Sequence, residues 1–150
     1  MKKIVKLLVV SVVVLVSFTF LNSGHAEAAV SSWQKPKWAS SGCKVRIWTD
    51  ATTYTKRAKT VDFTIEQNRK CGKLYYDANL RPVGYPIWTP SPTVTGYFSR
   101  ITPIKKLSVD ISMFKKHGHD TRVSVWLFKN SNHTIGLGEV TSKVLHIHKQ

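Results

Sequence analysis

The chain has 150 residues, with 23 Lys and Arg against 8 Asp and Glu, a formal charge of +15, and only 2 Cys. One domain fits in this length, 42% apolar residues are enough to build a core, and two Cys exclude both a multi-disulfide miniprotein and a four-cysteine zinc site. No phosphate-binding loop, dinucleotide fingerprint, kinase signature, nucleophile elbow or zincin helix is present, so those enzyme classes lose their main support.

Met1-Lys2-Lys3 and Lys6 form a positive start, and Ile4 to Leu21 is apolar apart from Lys6 and a few hydroxyl residues. Ala26-Glu27-Ala28 then offers small residues at the two positions that a signal peptidase reads, which predicts a secretory signal peptide over 1–28, cleaved after Ala28. Cleavage leaves 20 basic and 7 acidic residues, a net +13. The Lys-Lys start and the lysine-rich remainder fit a Gram-positive bacterial exported protein, secreted or associated with the cell wall. In an oxidising compartment Cys43 and Cys71 are expected to pair. Their loop of about 29 residues predicts roughly 3–4 kcal/mol of stabilisation in the chain-entropy model.

Residues 29–42 show no sustained period and read as an irregular arm carrying Trp33 and Trp38. From Cys43 to residue 150 the period is two. Apolar residues alternate at Val45/Ile47, Val61/Phe63/Ile65, Leu74/Tyr76, Leu107/Val109/Ile111/Met113, Val123/Val125/Leu127, Ile135/Leu137 and Leu145/Ile147, and Val94 to Ile101 is rich in Thr, Tyr and Phe. That predicts about eight short strands. Turn signals fall at 77–82, 89–92, 117–120, 130–132 and 141–142; only 56–68 has room for a helical turn, and the last four strands read as a meander. The expected fold is all-β: a single-domain antiparallel β-sandwich over 43–150, preceded by the signal peptide and the arm.

Four constellations bear on chemistry. The first is two H-x-H pairs, His117/His119 and His146/His148, with Asp120 beside them. Such pairs suit Zn²⁺ or Cu²⁺ when they share a face. Here His117 and His119 read as a hairpin tip, so the pairs are expected to lie apart, with no metal or other cofactor. The second is Glu66 with His119 or His133 and several Arg, the ingredients of a small secreted ribonuclease. No spacing joins them, and no pair of the seven acids stands out as a glycosidase couple, so no catalytic residue is assigned.

The third constellation is charge, spread in small groups along loops and strand ends. Twenty bases against seven acids exceed what solubility needs, and such an excess gathers polyanions. Lys35, Lys37, Lys44, Arg46, Lys105, Lys106, Lys115 and Lys116 are the candidate polyanion-binding residues. The fourth is aromatic: Trp48 and Trp126 fall opposite the aliphatic stripes of their strands and are the candidate sugar contacts. Together these features predict a non-enzymatic, cationic binding protein of the cell envelope, engaging an anionic polymer or glycan. An anionic membrane surface and nucleic acid are the competing polyanions, giving a membrane-active antibacterial protein or the ribonuclease as the alternatives.

Overall fold

The computed structural model describes residues 27–84 and 92–150. The signal-peptide reading falls almost wholly outside these residues, as do Trp88 and most of the 89–92 turn.

The protein is a β-sandwich. In chain order its elements are β1 (Ala29–Val30), β2 (Val45–Thr49), β3 (Thr53–Tyr54), β4 (Thr60–Gln67), β5 (Leu74–Pro82), β6 (Val94–Phe98), β7 (Lys105–Ser108), the helix α1 (Ser112–Lys116), β8 (His119–Phe128), β9 (Gly136–Thr141) and β10 (Leu145–Ile147). One sheet has the order β1-β2-β4-β7; the other runs β3-β10-β8-β5-β6, with β9 also on β8. Every pairing is antiparallel except β10 on β3, which is parallel. The period-two stripes become the two inner faces. Val45, Ile47, Val61, Phe63 and Ile65 from one sheet meet Leu74, Tyr76, Ala78, Leu80, Val123, Val125 and Leu127 from the other, all buried. Side chains alternate across a strand, so the polar residues between them are turned outward.

The eight expected strands correspond to β2 and β4 to β10; β1 and β3 are additional two-residue pieces. Several boundaries differ from expectation. The polar stretch 77–82, read as a turn, continues β5: Ala78 and Leu80 keep the inward period while Asp77, Asn79 and Arg81 face out. Burial of the alternate positions outweighs the turn preference of Asp and Asn. The 56–68 stretch opens with one turn, closed by the Ala58 N–H donating to the Thr55 carbonyl at 2.9 Å, and continues as β4 without a helix. The alternation from Leu107 to Met113 ends early instead. Asp110 N–H donates to Ser108 Oγ, turning the chain after β7, and α1 follows, with Phe114 completely buried. The meander is also absent. β7 belongs to the opposite sheet, and β9 and β10 succeed one another along the same side of β8.

The 29–42 arm, expected to be irregular, is tied to both sheets. β1 pairs with Trp48 and Thr49 of β2, and Gln34 exchanges two backbone hydrogen bonds with Val45 at 2.8 Å. The Gln34 side chain then acts as a surrogate peptide for β9: Nε2 donates to the Thr141 carbonyl at 2.6 Å, and Thr141 N–H donates to Oε1 at 3.0 Å. One residue thereby joins the edges of the two sheets.

Candidate functional site

The antiparallel registers bring six strand ends to one end of the sandwich: Val45 opposite Gln67, Leu74 opposite Phe98, and Phe128 opposite both Tyr75 and Gly136. Cys43 and Cys71 are bonded here, with Cα atoms 4.7 Å apart, linking the approach to β2 with the approach to β5. The loop between β4 and β5 is held from several sides. Buried Gln67 donates through Nε2 to the carbonyls of Gly72, at 3.1 Å, and Ser99, and accepts the Cys71 N–H at 3.3 Å. Asn68 donates to the Gly42 carbonyl at 2.7 Å and accepts the N–H groups of Lys44 and Lys70. Arg69, at φ 65°, takes the left-handed turn that such a tight loop requires.

The four segments meeting here, 31–45, 67–76, 98–104 and 128–138, contain eight basic residues and no Asp or Glu: Lys35, Lys37, Lys44, Arg69, Lys70, Lys73, Arg100 and Lys129. Aromatic rings lie among them. Trp38 is 58% exposed, with Lys37 Nζ 4.9 Å from its ring centre. Tyr97 is 63% exposed, and Lys73 Nζ lies 4.0 Å from its ring and 5.2 Å from that of Tyr75. The rings continue across the sheet: Tyr97 to Tyr75 at 6.0 Å, Tyr75 to His133 at 6.3 Å, and His133 stacked on Phe128 at 4.6 Å. His133 Nδ1 also lies 2.9 Å from Asp77 Oδ1. A cavity of about 350 Å³ lies elsewhere, at the opposite end; the one here is about 300 Å³, with Trp38 and Ser40 on one side, Lys73 and Lys129 on another, and Leu74 and Leu137 beneath. The arm reaches this cavity by crossing Gly138, where a Cβ would lie 2.9 Å from the Lys37 nitrogen.

The residues singled out from sequence are distributed differently. Lys35, Lys37 and Lys44 are at the disulfide end. Arg46 faces outward from the four-stranded sheet, 2.7 Å from Glu66 and stacked 4.4 Å from the Trp33 ring centre. Lys106 pairs with Asp62, and Lys105 is half-buried beside it on β7. Lys115 pairs with Asp110 at 2.7 Å, and Lys116 is exposed next to it, both on α1 at the other end. Trp48 is half-buried in a groove with Val30, Thr64 and Ile101, and Trp126 is half-buried between Asp77 and Glu139 of the neighbouring strands. Sequence reasoning missed Arg69, Lys70, Lys73 and Lys129 as a cluster with Trp38. The available signal was the cysteine pair, because bonding Cys43 to Cys71 necessarily sets Lys44 beside Lys70. Glu66, His119 and His133 are not brought together: Glu66 holds Arg46, His133 lies on the other sheet's outer face, and His119 packs on Phe114 at the far end, with ring centres 6.1 Å apart.

The two histidine pairs, expected to lie apart, are brought together by neighbouring strands: Ile147 pairs with His119 and His146 with Asp120, and His119, His146 and His148 line the cavity of about 350 Å³. They nevertheless point differently. His119 shares the inward period of Thr121 and Val123, whereas His146 faces out, its Nδ1 2.6 Å from Asp120 Oδ1. Among the described residues no group of three or more His, Cys, Asp or Glu could hold a metal ion.

The carboxylates of this histidine end are perturbed by their partners. Burial raises Asp62 most among the single effects, but hydrogen bonds from Lys106 and Thr60, with the Lys106 charge, outweigh it and hold the carboxyl below its ordinary range. The hydrogen bond and charge of Lys115 hold exposed Asp110 low as well. Burial, reinforced by the Asp50 carboxylate that accepts its hydrogen bond, pushes the Tyr54 phenol far up.

Fold and chain together define a macroglobulin-type β-sandwich: the chain belongs to the YqgA MG2 macroglobulin domain family, which matches residues 26–148. It is similar to the cell wall-binding protein YqgA of Bacillus subtilis (strain 168), 49% identical over 84 residues. That alignment spans 54% of this chain and 56% of the relative, so the chain covers little more than half the length of the curated protein it matches. No solved structure matches the chain.

Proposed function

We propose that this protein is an exported cell wall-binding module whose disulfide end engages an anionic polymer of the envelope, such as a teichoic acid. The observation that carries this reading is the charge segregation just described: eight cations, no carboxylate in the same segments, and exposed Trp38 and Tyr97 among them. Unpaired like charges on a rigid loop cluster sum their fields and attract a polyanion over distances that paired charges do not. The relative named as a cell wall-binding protein supports the same location. Export with removal of 1–28 is part of the proposal. The new amino terminus would be Ala29, already buried as the first residue of β1, followed by the 29–42 arm and the 43–150 sandwich.

The test is retention of purified protein on isolated cell walls across a salt series. The Debye length falls from about 8 Å at physiological salt to about 3 Å at 1 M, so retention should drop steeply. Walls stripped of teichoic acid should retain much less protein. Retention that ignores both salt and stripping would overturn the anionic-polymer reading, and no retention at all would overturn the wall reading.

A further inference from the structure

We infer that the disulfide-end cavity is a site for one sugar unit carrying a phosphate ester, a deepening that rests on the wall-polymer reading above. Its volume of about 300 Å³ is at the small end of ligand pockets, which span roughly 300–1,000 Å³. One monosaccharide-sized group fits; a folded peptide segment does not. The walls divide by chemistry. Trp38 offers an exposed indole for the apolar C–H face of a sugar ring, and Ser40 beside it offers a hydroxyl. Leu74 and Leu137 make the base apolar. Lys73 and Lys129 supply two cations and no arginine fork. Ammonium groups suit a phosphate as point charges, whereas a planar carboxylate is best matched by the bidentate guanidinium that this cavity lacks.

The parts are set before any ligand arrives. Trp38 N–H donates to the Leu137 carbonyl at 2.9 Å, fixing the indole's backbone against β9. Lys73 follows Gly72 and the bonded Cys71, and its ammonium rests over Tyr97 and Tyr75. Ordering the two halves of the site in advance reduces what binding must spend on it. Lys73 also connects the cavity to the row of rings on the outer face of the six-stranded sheet, so the next unit of a polymer leaving the cavity meets Tyr97.

The experiment is NMR titration of the ¹⁵N-labelled protein, reading the Trp38 indole signal assigned through Trp38→Phe. N-acetylglucosamine 1-phosphate should shift that signal at concentrations where N-acetylglucosamine does not, and inorganic phosphate should bind more weakly than the sugar phosphate. Lys73→Met and Lys129→Met should each weaken the sugar phosphate by about tenfold. Trp38→Ala, read on the backbone amides of Lys73 and Lys129, should remove the advantage of the sugar phosphate over inorganic phosphate, and Lys115→Met with Lys116→Met should change nothing. Equal response to the uncharged sugar would overturn the phosphate assignment. Tighter binding of a single-stranded RNA oligonucleotide than of wall polymer at matched charge would overturn the saccharide assignment, as would binding to anionic phosphatidylglycerol vesicles in place of the sugar phosphate. Retention on intact walls, measured in parallel, bears only on the wall reading: retained protein with a silent Trp38 signal removes the pocket and leaves the module.

Discussion

At the disulfide end Lys44, Arg69, Lys70, Lys73, Arg100 and Lys129 share their segments with no carboxylate, while at the histidine end Lys106 sits on Asp62, Lys115 on Asp110 and His146 on Asp120. Both ends are rich in Lys and Arg, so a count of charges does not separate them. Pairing separates them in part: among the described residues Lys106 and Lys115 sit on carboxylates while Lys56, Arg57 and Lys116 do not. A cation beside a carboxylate contributes little to the field beyond a few ångströms, an exposed pair adding at most about 1 kcal/mol of stability. The ends also differ in construction. The first is held by a disulfide, the buried Gln67 amide and the Asn68 bonds. The second is assembled from a five-residue helix, the two-residue β3 and the three-residue β10. Short elements with few backbone bonds open first. A rigid, unpaired cationic end suits recognition, because its groups need no ordering when a ligand arrives.

That contrast can be broken at the disulfide. Replacing Cys43 and Cys71 together by Ser should cost about 3–4 kcal/mol by chain entropy, read as a lower urea midpoint. Wall retention should fall with it, because Lys44 and Lys70 are no longer held together. Native-state hydrogen exchange should accelerate in 67–74 and leave β10 little changed; equal acceleration at both ends would show that the bridge does not act locally.

Gln67→Ala comes next. It removes three bonds made by one buried side chain and leaves the Gly72 and Ser99 carbonyls and the Cys71 N–H without that partner, at a cost of about 2–3 kcal/mol in thermal or urea unfolding. Gln34→Ala also removes three bonds, two to Thr141 and one to Ser31 Oγ, but from a side chain that is only half-buried, and should cost less, about 1–2 kcal/mol. Should Gln34→Ala prove the more damaging, the arm rather than the disulfide end would be the keystone of the sandwich.

Charge reversal compares the ends directly. Lys70→Glu with Lys73→Glu should reduce wall retention at least tenfold, about 1.4 kcal/mol, and flatten its salt dependence. Lys115→Glu with Lys116→Glu should reduce it less, since Asp110 already offsets Lys115. Equal losses would mean that net charge alone governs retention.

The smallest effect concerns acid. Asp62 is held below its ordinary value in the fold, so its contribution is present above the unfolded carboxylate value of about 3.9 and is lost as pH falls through the lower folded value. Asp62→Asn should therefore destabilise the protein at neutral pH and shrink its loss of stability below about pH 4. An unchanged acid limb in Asp62→Asn would remove Asp62 from this account.

Much of this protein was legible as a linear pattern. Period-two alternation is a local property of each strand, so Val61/Phe63/Ile65 and Val123/Val125/Leu127 announced two-faced strands and a sandwich core before any contact was known. The Cys pair announced its own bond. Turn residues were the weaker guide. The Asp77 to Pro82 stretch carries turn-forming types yet forms two thirds of β5, because Ala78, Leu80 and Pro82 fall on its buried face, and the stripe ending at Met113 yielded to a helix that seats Phe114.

What only the tertiary structure decided is which charges stand together and which rings face solvent. Trp48 and Trp126 occupy the outward positions that alternation assigned them, but neighbouring strands half-cover both. Trp38, in an arm with no period at all, is exposed because Gln34 and Gly138 carry the chain across the edge of β9. Lys106 looked as available as Lys70 until the register set it opposite Asp62. Alternation follows from the geometry of a single strand, so it can be read from neighbours in sequence. Apart from the local pair of Lys115 with Asp110, charge pairing and exposure depend on partners about twenty or more residues away, placed there by strand register and one disulfide.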